Sequence, residues 1–306
     1  MNDSNNLISI LDIKDRIKDI LRIAGEIKKK YKNGEPYHPL EDKSLGMIFE
    51  KPSTRTRISF EVGTTQLGGH ALYLSPKDLQ LGRGETIADT AKVLSRYVDG
   101  IMYRAFEHDM MVELAENSSV PVISGLDDVE HPCQIVADLL TIREHKGDFE
   151  RKLVYVGDGN NVCHSLLLGC AVVGMDMVAC TPEGYEPDSE IVEKAKEIAE
   201  ENESTIEVMH DPMRSVKYAD VIYTDVWVSM GDEDEKKKRM EDFKDFQINR
   251  ELVSQADDEV IVMHCLPAHR GVEITDEVID GPHSVVFDQA ENRLHAQKAI
   301  MAEFMA

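Results

Sequence analysis

The sequence predicts an α/β protein made of two doubly wound parallel-sheet domains. Short apolar runs of strand length alternate with longer segments of helical apolar spacing, and they do so in two successive blocks. The chain has 306 residues, about twice an ordinary domain. Strands separated by helices pair in parallel, with both sheet faces covered.

The first block opens with helical spacing from Ile10 to Lys30 and a basic last turn. Leu45 to Glu50 reads as a buried strand, followed by a helix from about Thr54 to Leu67 that Gly68 and Gly69 stop. Strand Ala71 to Leu74, helix Glu85 to Tyr97, strand Gly100 to Tyr103, a helix through Leu114, strand Pro121 to Ser124 and helix Pro132 to His145 complete it. The second block begins with strand Leu153 to Val156, a glycine-rich turn and helix Val162 to Gly174. It continues through strands near Met177, Ile206, Val221, Val260 and Val285, and a last helix spans about Gln289 to Phe304. In such folds ligands sit beyond the carboxyl ends of strands, so residues just after strands are the first candidates for function.

Composition removes several classes. The chain carries 34 basic against 58 acidic side chains, a formal net charge of −24, where a nucleic-acid binder needs a basic face. The N-terminal stretch mixes acids into its apolar residues and is not expected to be a signal peptide. The longest near-apolar run, Leu166 to Cys180, is broken by Asp176 and is shorter than the ~18 residues a bilayer span needs. Cys133, Cys163, Cys170, Cys180 and Cys265 are odd in number and never spaced C-x-x-C. Neither a disulfide framework nor a metal site is expected, and a reducing cytoplasm is the expected compartment.

FEKPSTRTR, Phe49 to Arg57, joins a strand to a helix. Pro52 ends the strand, and Ser53 or Thr54 can cap the helix. The bare N–H groups at that helix end favour an anion, and three hydroxyls with two guanidiniums add donors suited to a phosphate. A capped helix with solvated arginines would need only one of them. Arg104, in MYRAFEH, and His131 and Gln134, in HPCQ, fall at the same strand-to-helix level; each alone could equally be a packing or surface residue.

GDGNN, Gly157 to Asn161, is half of a dinucleotide fingerprint, but Val162 stands where the third glycine belongs and no ribose-binding acid is well placed. Asn161 offers instead a neutral amide for a carboxylate or ammonium. DVWVSMG, Asp225 to Gly231, follows a strand; Asp225 can pair with a substrate ammonium or simply cap its loop. DEDEKKKRMEDF reads as a solvated helix with i, i+4 pairs. HCLPAHRG, His264 to Gly271, follows another strand, and nothing local argues for a thiolate at Cys265. Arg293, in QAENRLH, reads as a surface arginine.

Together, in this order and over essentially the whole chain, these segments resemble the carbamoyltransferase family. FEKPSTRTR, YRAFEH and HPCQ are similar to its carbamoyl phosphate signatures, and GDGNN, DVWVSMG, HCLP and QAENR to those of its ornithine branch. The resemblance implies a carbamoyl phosphate domain, residues 1–135 completed by helix 289–306, an ornithine domain, residues 136–288, and an active site in the cleft between them. It implies that Ser53, Thr54, Arg55 and Thr56 cradle the phosphate. Arg104, His131 and Gln134, with Pro132 and Cys133 beside them, would hold the phosphate and polarise the carbamoyl group, and Arg293 would join them. Asn161, Asp225, Ser229 and Met230 would bind L-ornithine, Cys265 would lie near its δ-nitrogen, and Leu266 would offer its backbone. Arg55, Arg104, His131, Asp225 and Cys265 are the implied catalytic set. Gln80, in KDLQLGRGE, would reach a neighbouring subunit's site, implying a homotrimer or a multiple of it. No cofactor, metal, nucleic acid or membrane enters this picture. The rivals are another acceptor (aspartate, putrescine or an acylated ornithine), a non-catalytic carbamoyl phosphate sensor, and a dinucleotide oxidoreductase, which Val162 disfavours.

Overall fold

A computed structural model describes residues 5–75, 77, 79–80, 84–228 and 235–306. It divides into two compact units, one of Met1–Leu140 with Glu291–Ala306, the other of Thr141–Ala290.

In the first unit, β1 (Ser44–Phe49), β2 (His70–Leu74), β3 (Gly100–Arg104) and β4 (Val122–Leu126) form a parallel sheet in the order β2-β1-β3-β4. The topological switch point lies between β1 and β3, where Ile48 pairs with Tyr103 and Phe49 with Arg104. Tyr103, Ile101, Ile48, Met111 and Leu114 pack the core on one side. Helix Ile17–Lys32 buries Ile17, Ile20, Leu21, Ala24 and Ile27, its one apolar stripe.

In the second unit, β5 (Lys152–Val156), β6 (Asp176–Cys180), β7 (Ile206–Met209), β8 (Val221–Thr224) and β9 (Ile261–His264) are parallel in the order β7-β6-β5-β8-β9. Its switch point lies between β5 and β8. Val154, Ile222, Val262 and Phe243 centre its core. Among the described residues, no helix is long and apolar enough to cross a membrane.

Two sequence expectations need correction. The Ile10 to Lys30 pattern is not one helix: a 3-10 turn, Ile10–Ile13, precedes helix Ile17–Lys32. Asp12 Oδ2 accepts the backbone N–H groups of Ile8 and Ser9, which anchors a separate turn there. The strand near Val285 does not form. Ser284 makes only an isolated bridge to Val262, Val285 N–H donates to the Val262 carbonyl, and helix Val286–Met305 starts at once.

Candidate active site

The first unit gathers its donors around its switch point. Ser53 caps helix Thr54–Gln66 by accepting the Thr56 N–H at 3.2 Å. Thr56 is buried and its hydroxyl accepts from Arg293 Nη2 at 3.1 Å, while Thr54 is exposed and Arg55 half-buried. Arg57 faces elsewhere: it pairs with Glu61 at 3.3 Å and lies 3.8 Å over the Tyr73 ring. It therefore leaves the predicted pair of guanidiniums at this helix end one short.

Arg104 ends β3 and is 5% exposed. The register shifts beside it, Tyr103 pairing with Ser124 but Arg104 with Leu126. Gly125 lies in the bulge: a Cβ there would sit 2.6 Å from Met102 Sδ and 3.3 Å from Arg104 Cβ. The Gly125 carbonyl accepts from Arg104 Nη1 at 3.2 Å. His131 follows an Asx turn in which Asp127 Oδ1 accepts the N–H groups of Val129 and Glu130. It opens helix Pro132–Lys146. Gln134 bonds within the protein through both amide atoms, Nε2 donating to Asp138 at 2.8 Å and Oε1 accepting from Arg293 Nη1 at 2.6 Å. Cys133 donates its S–H to the Ser124 carbonyl, and burial pushes its thiol up to about 12.

Arg293 is 3% exposed, so the expectation of a surface arginine fails. It sits on the buried face of the last helix, where Gln134 and Thr56 orient it. Burial first, then Arg293 and Arg55, push the Arg104 guanidinium down to about 10. Burial and the same three arginines hold His131 well below the ordinary imidazole value. Like charges brought together away from water repel unless an anion joins them. Gln80 is exposed.

The second unit builds a different environment at its own switch point. The turn after β5 carries Asn160 and Asn161; Asn160 Oδ1 caps helix Asn161–Val173 by accepting from Val162 and Cys163 N–H. Its Nδ2 donates to Asp225 Oδ2, just beyond β8, at 3.0 Å. Cys265, just beyond β9, donates its S–H to Asp225 Oδ1 at 2.9 Å. Both oxygens of a buried carboxylate are thus held, and the charge stays available to a cation. Ser229 and Met230 lie outside the described residues.

Asp225, His264 and Cys265 each bring one ligand-type atom within 4.8 Å of one another. His264 is already committed, however. Its Nδ1 accepts the Leu266 N–H at 2.9 Å, which places the ring proton on Nε2, facing Glu273 Oε1 at 3.2 Å. The trio positions the Cys265–Leu266 segment and presents no free imidazole lone pair to a metal. Leu266 likewise spends its N–H within the protein.

The description "Aspartate/ornithine carbamoyltransferase, carbamoyl-P binding domain" matches residues 5–144, and its "Asp/Orn binding domain" matches residues 150–304. The chain belongs to the aspartate/ornithine carbamoyltransferase family. It is 59% identical to the ornithine carbamoyltransferase of Methanobrevibacter smithii over 98% of this chain and 99% of that relative. It is 54% identical to the catabolic ornithine carbamoyltransferase of Thermoplasma acidophilum, covering 98% of both. The structure of ornithine carbamoyltransferase from Pyrococcus furiosus superposes with a TM-score of 0.96 at 55% identity, covering 99% of this chain and 97% of that one. Within this family of transferases, the polar residues that sequence reasoning missed are Asn160, Arg239 and Glu273. In sequence Asn160 carries only the signal of a turn residue, and Arg239 only that of a solvated helix.

Proposed function

We infer that this carbamoyltransferase moves the carbamoyl group of carbamoyl phosphate to the δ-amine of L-ornithine, giving L-citrulline and phosphate. The observation that carries the reading is the set of Arg55, Arg104 and Arg293 around a neutral His131, whose mutual repulsion a dianion relieves. Ser53, Thr54, Arg55 and Thr56 take the phosphate, and Arg104, His131 and Arg293 take its remaining oxygens and the carbamoyl oxygen. In the other unit Asp225, Asn161, Ser229 and Met230 hold ornithine. Asp225 suits an ammonium, whereas aspartate as acceptor would bring a second carboxylate towards it.

The neutral δ-amine attacks the carbamoyl carbon, forming a C–N bond; the tetrahedral intermediate then collapses with cleavage of the C–O bond to phosphate. Donors preorganised on the developing oxyanion contribute about 2.7–4 kcal/mol each, and holding both substrates in register supplies much of the rest. Cys265 lies beside Asp225 as a thiol donor and Leu266 borders it.

The reading places the chain in cytoplasmic arginine metabolism and makes the working form a homotrimer, with Gln80 of one copy serving the next. The exposed apolar side chains Ile58, Val62, Leu72 and Tyr73, on the Thr54–Gln66 helix and β2, support a second copy seated there. The deciding assay measures citrulline formation with ornithine against product formation with aspartate, putrescine and N-acetylornithine. Ornithine should win by orders of magnitude; equal use of another acceptor refutes the reading.

A further inference from the structure

The helix Lys236–Asp242, predicted to be solvated throughout, carries one arginine that is not. The Arg239 side chain is 12% exposed, and its partner Asp158 11%. Arg239 Nη1 lies 2.9 Å from Asp158 Oδ2, in the turn that presents Asn160 and Asn161. The same nitrogen donates to the Trp227 carbonyl at 3.1 Å, two residues beyond Asp225. Its guanidinium lies 5.1 Å over the Tyr185 ring, and the Tyr185 hydroxyl donates to Asp242 at 2.8 Å. Phe243 closes the arrangement, 4.7 Å from Tyr185 and 5.7 Å from Trp227 between ring centroids.

We propose that Arg239 is a positioning residue for the acceptor amino acid, a strut that fixes the Asp158–Asn161 turn relative to the Asp225–Trp227 segment. These two segments follow β5 and β8, on either side of the switch point, and β5 and β8 pair only through Tyr155 and Tyr223. Beyond those residues the Thr224 hydroxyl donates to the Val156 carbonyl at 2.7 Å and Asn160 donates to Asp225 at 3.0 Å, both from neutral donors. Arg239 adds a charged link from a third element. A planar guanidinium suits this better than an ammonium, because its fork fixes direction as well as distance. Removing it takes a cationic partner from the Asp158 carboxylate, whose side chain is 11% exposed, and breaking a largely buried ion pair from one side disturbs its surroundings.

The proposal rests on the acceptor reading above. The test compares Arg239→Ala, Arg239→Lys and Asp158→Asn with the unaltered protein in steady-state citrulline formation. Arg239→Ala and Asp158→Asn should raise the ornithine KM roughly 10- to 100-fold and leave the carbamoyl phosphate KM within about twofold, with Arg239→Lys intermediate. Trp227 is the single tryptophan, so its fluorescence can report binding of L-norvaline, the ornithine carbon chain without its δ-amine, in the presence of carbamoyl phosphate. Norvaline affinity should fall in parallel with the KM effect, which a global loss of stability would not produce. Normal ornithine KM and norvaline affinity in both Arg239→Ala and Asp158→Asn overturn this proposal alone, as does an equal loss for both substrates. Failure of the unaltered protein to make citrulline overturns the acceptor reading, and this proposal with it.

Discussion

Arg104→Met should leave the ligand-free protein as stable as the unaltered one or more so, while abolishing its response to phosphate. The folded protein holds this guanidinium at about 10, against about 12.5 in water. Near pH 7 it is charged both folded and unfolded, so the folded state bears the whole difference, roughly 3 kcal/mol at about 1.36 kcal/mol per pH unit. Methionine keeps comparable bulk and removes the charge. It also removes the bond from Nη1 to the Gly125 carbonyl, worth about 1.5–3 kcal/mol for a charged donor. The balance lies between roughly zero and 2 kcal/mol in favour of the variant, a rise of up to several degrees in Tm at ~2–4 °C per kcal/mol. Thermal unfolding with and without inorganic phosphate checks both halves. At a hundred times Kd, phosphate should stabilise the unaltered protein by about 2.7 kcal/mol and Arg104→Met hardly at all. A variant melting more than ~3 °C lower without ligand, or shifted by phosphate as far as the original, refutes the reasoning.

Three further outcomes follow from the same geometry. Gly159→Ala would place a Cβ 2.2 Å from the Pro187 nitrogen and 2.4 Å from the Glu186 carbonyl carbon, a backbone collision that must move the Asn160–Asn161 turn; a stability loss of about 1–3 kcal/mol with a raised ornithine KM is expected, and an unchanged KM counts against the turn's role. Glu130 is buried and raised to about 7, chiefly by desolvation, so between about pH 4.5 and 7 the folded state binds more protons than the unfolded and stability falls as pH rises. Glu130→Gln should flatten that slope, worth roughly 3 kcal/mol, and parallel urea midpoints for both proteins at pH 5 and 8 would contradict this. Finally, kcat/KM for ornithine should climb between about pH 6 and 9, because the δ-ammonium, of pKa about 10.4, costs about 4.6 kcal/mol to present neutral at pH 7; a flat profile refutes neutral-amine attack.

Strands were legible because parallel strands are apolar on both faces, as β5 and β8 are. Val285 misled for the same reason, since the β-branched pair Val285–Val286, at the start of a helix, carries the local signal of a strand without a neighbour to complete it. The buried cations were harder. Arg293 shares a helical face with Ala296, Ile300 and Phe304, all buried, at spacings of three, seven and eleven residues. Arg239 stands four before Phe243 and seven before Phe246, both buried. In each case the register pointed inward while the residue type pointed outward, and a cation on an apolar register was the usable signal. Nothing local indicated that Asn160 would reach Asp225, because that bond depends on the pairing of β5 with β8.

His131 shows why the pH profile should report the substrate rather than the protein. Burial and three neighbouring guanidiniums keep its ring neutral, since an imidazolium would add a fourth cation to a desolvated set. A neutral ring can donate one N–H to the carbamoyl oxygen but has no proton to give away, and it cannot take the amine's proton without recreating that fourth cation. In the other unit both Asp225 oxygens already accept hydrogen bonds, from Asn160 and Cys265. On the proposed reaction, the proton lost as the C–N bond forms passes to the phosphate leaving as the C–O bond breaks. The arginines then act on the bound state by neutralising charge, and the alkaline climb belongs to ornithine's own ammonium. A His131→Asn variant, keeping one N–H donor, should lower kcat yet retain the same alkaline slope; loss of that slope would make His131 the titrating group and overturn the assignment.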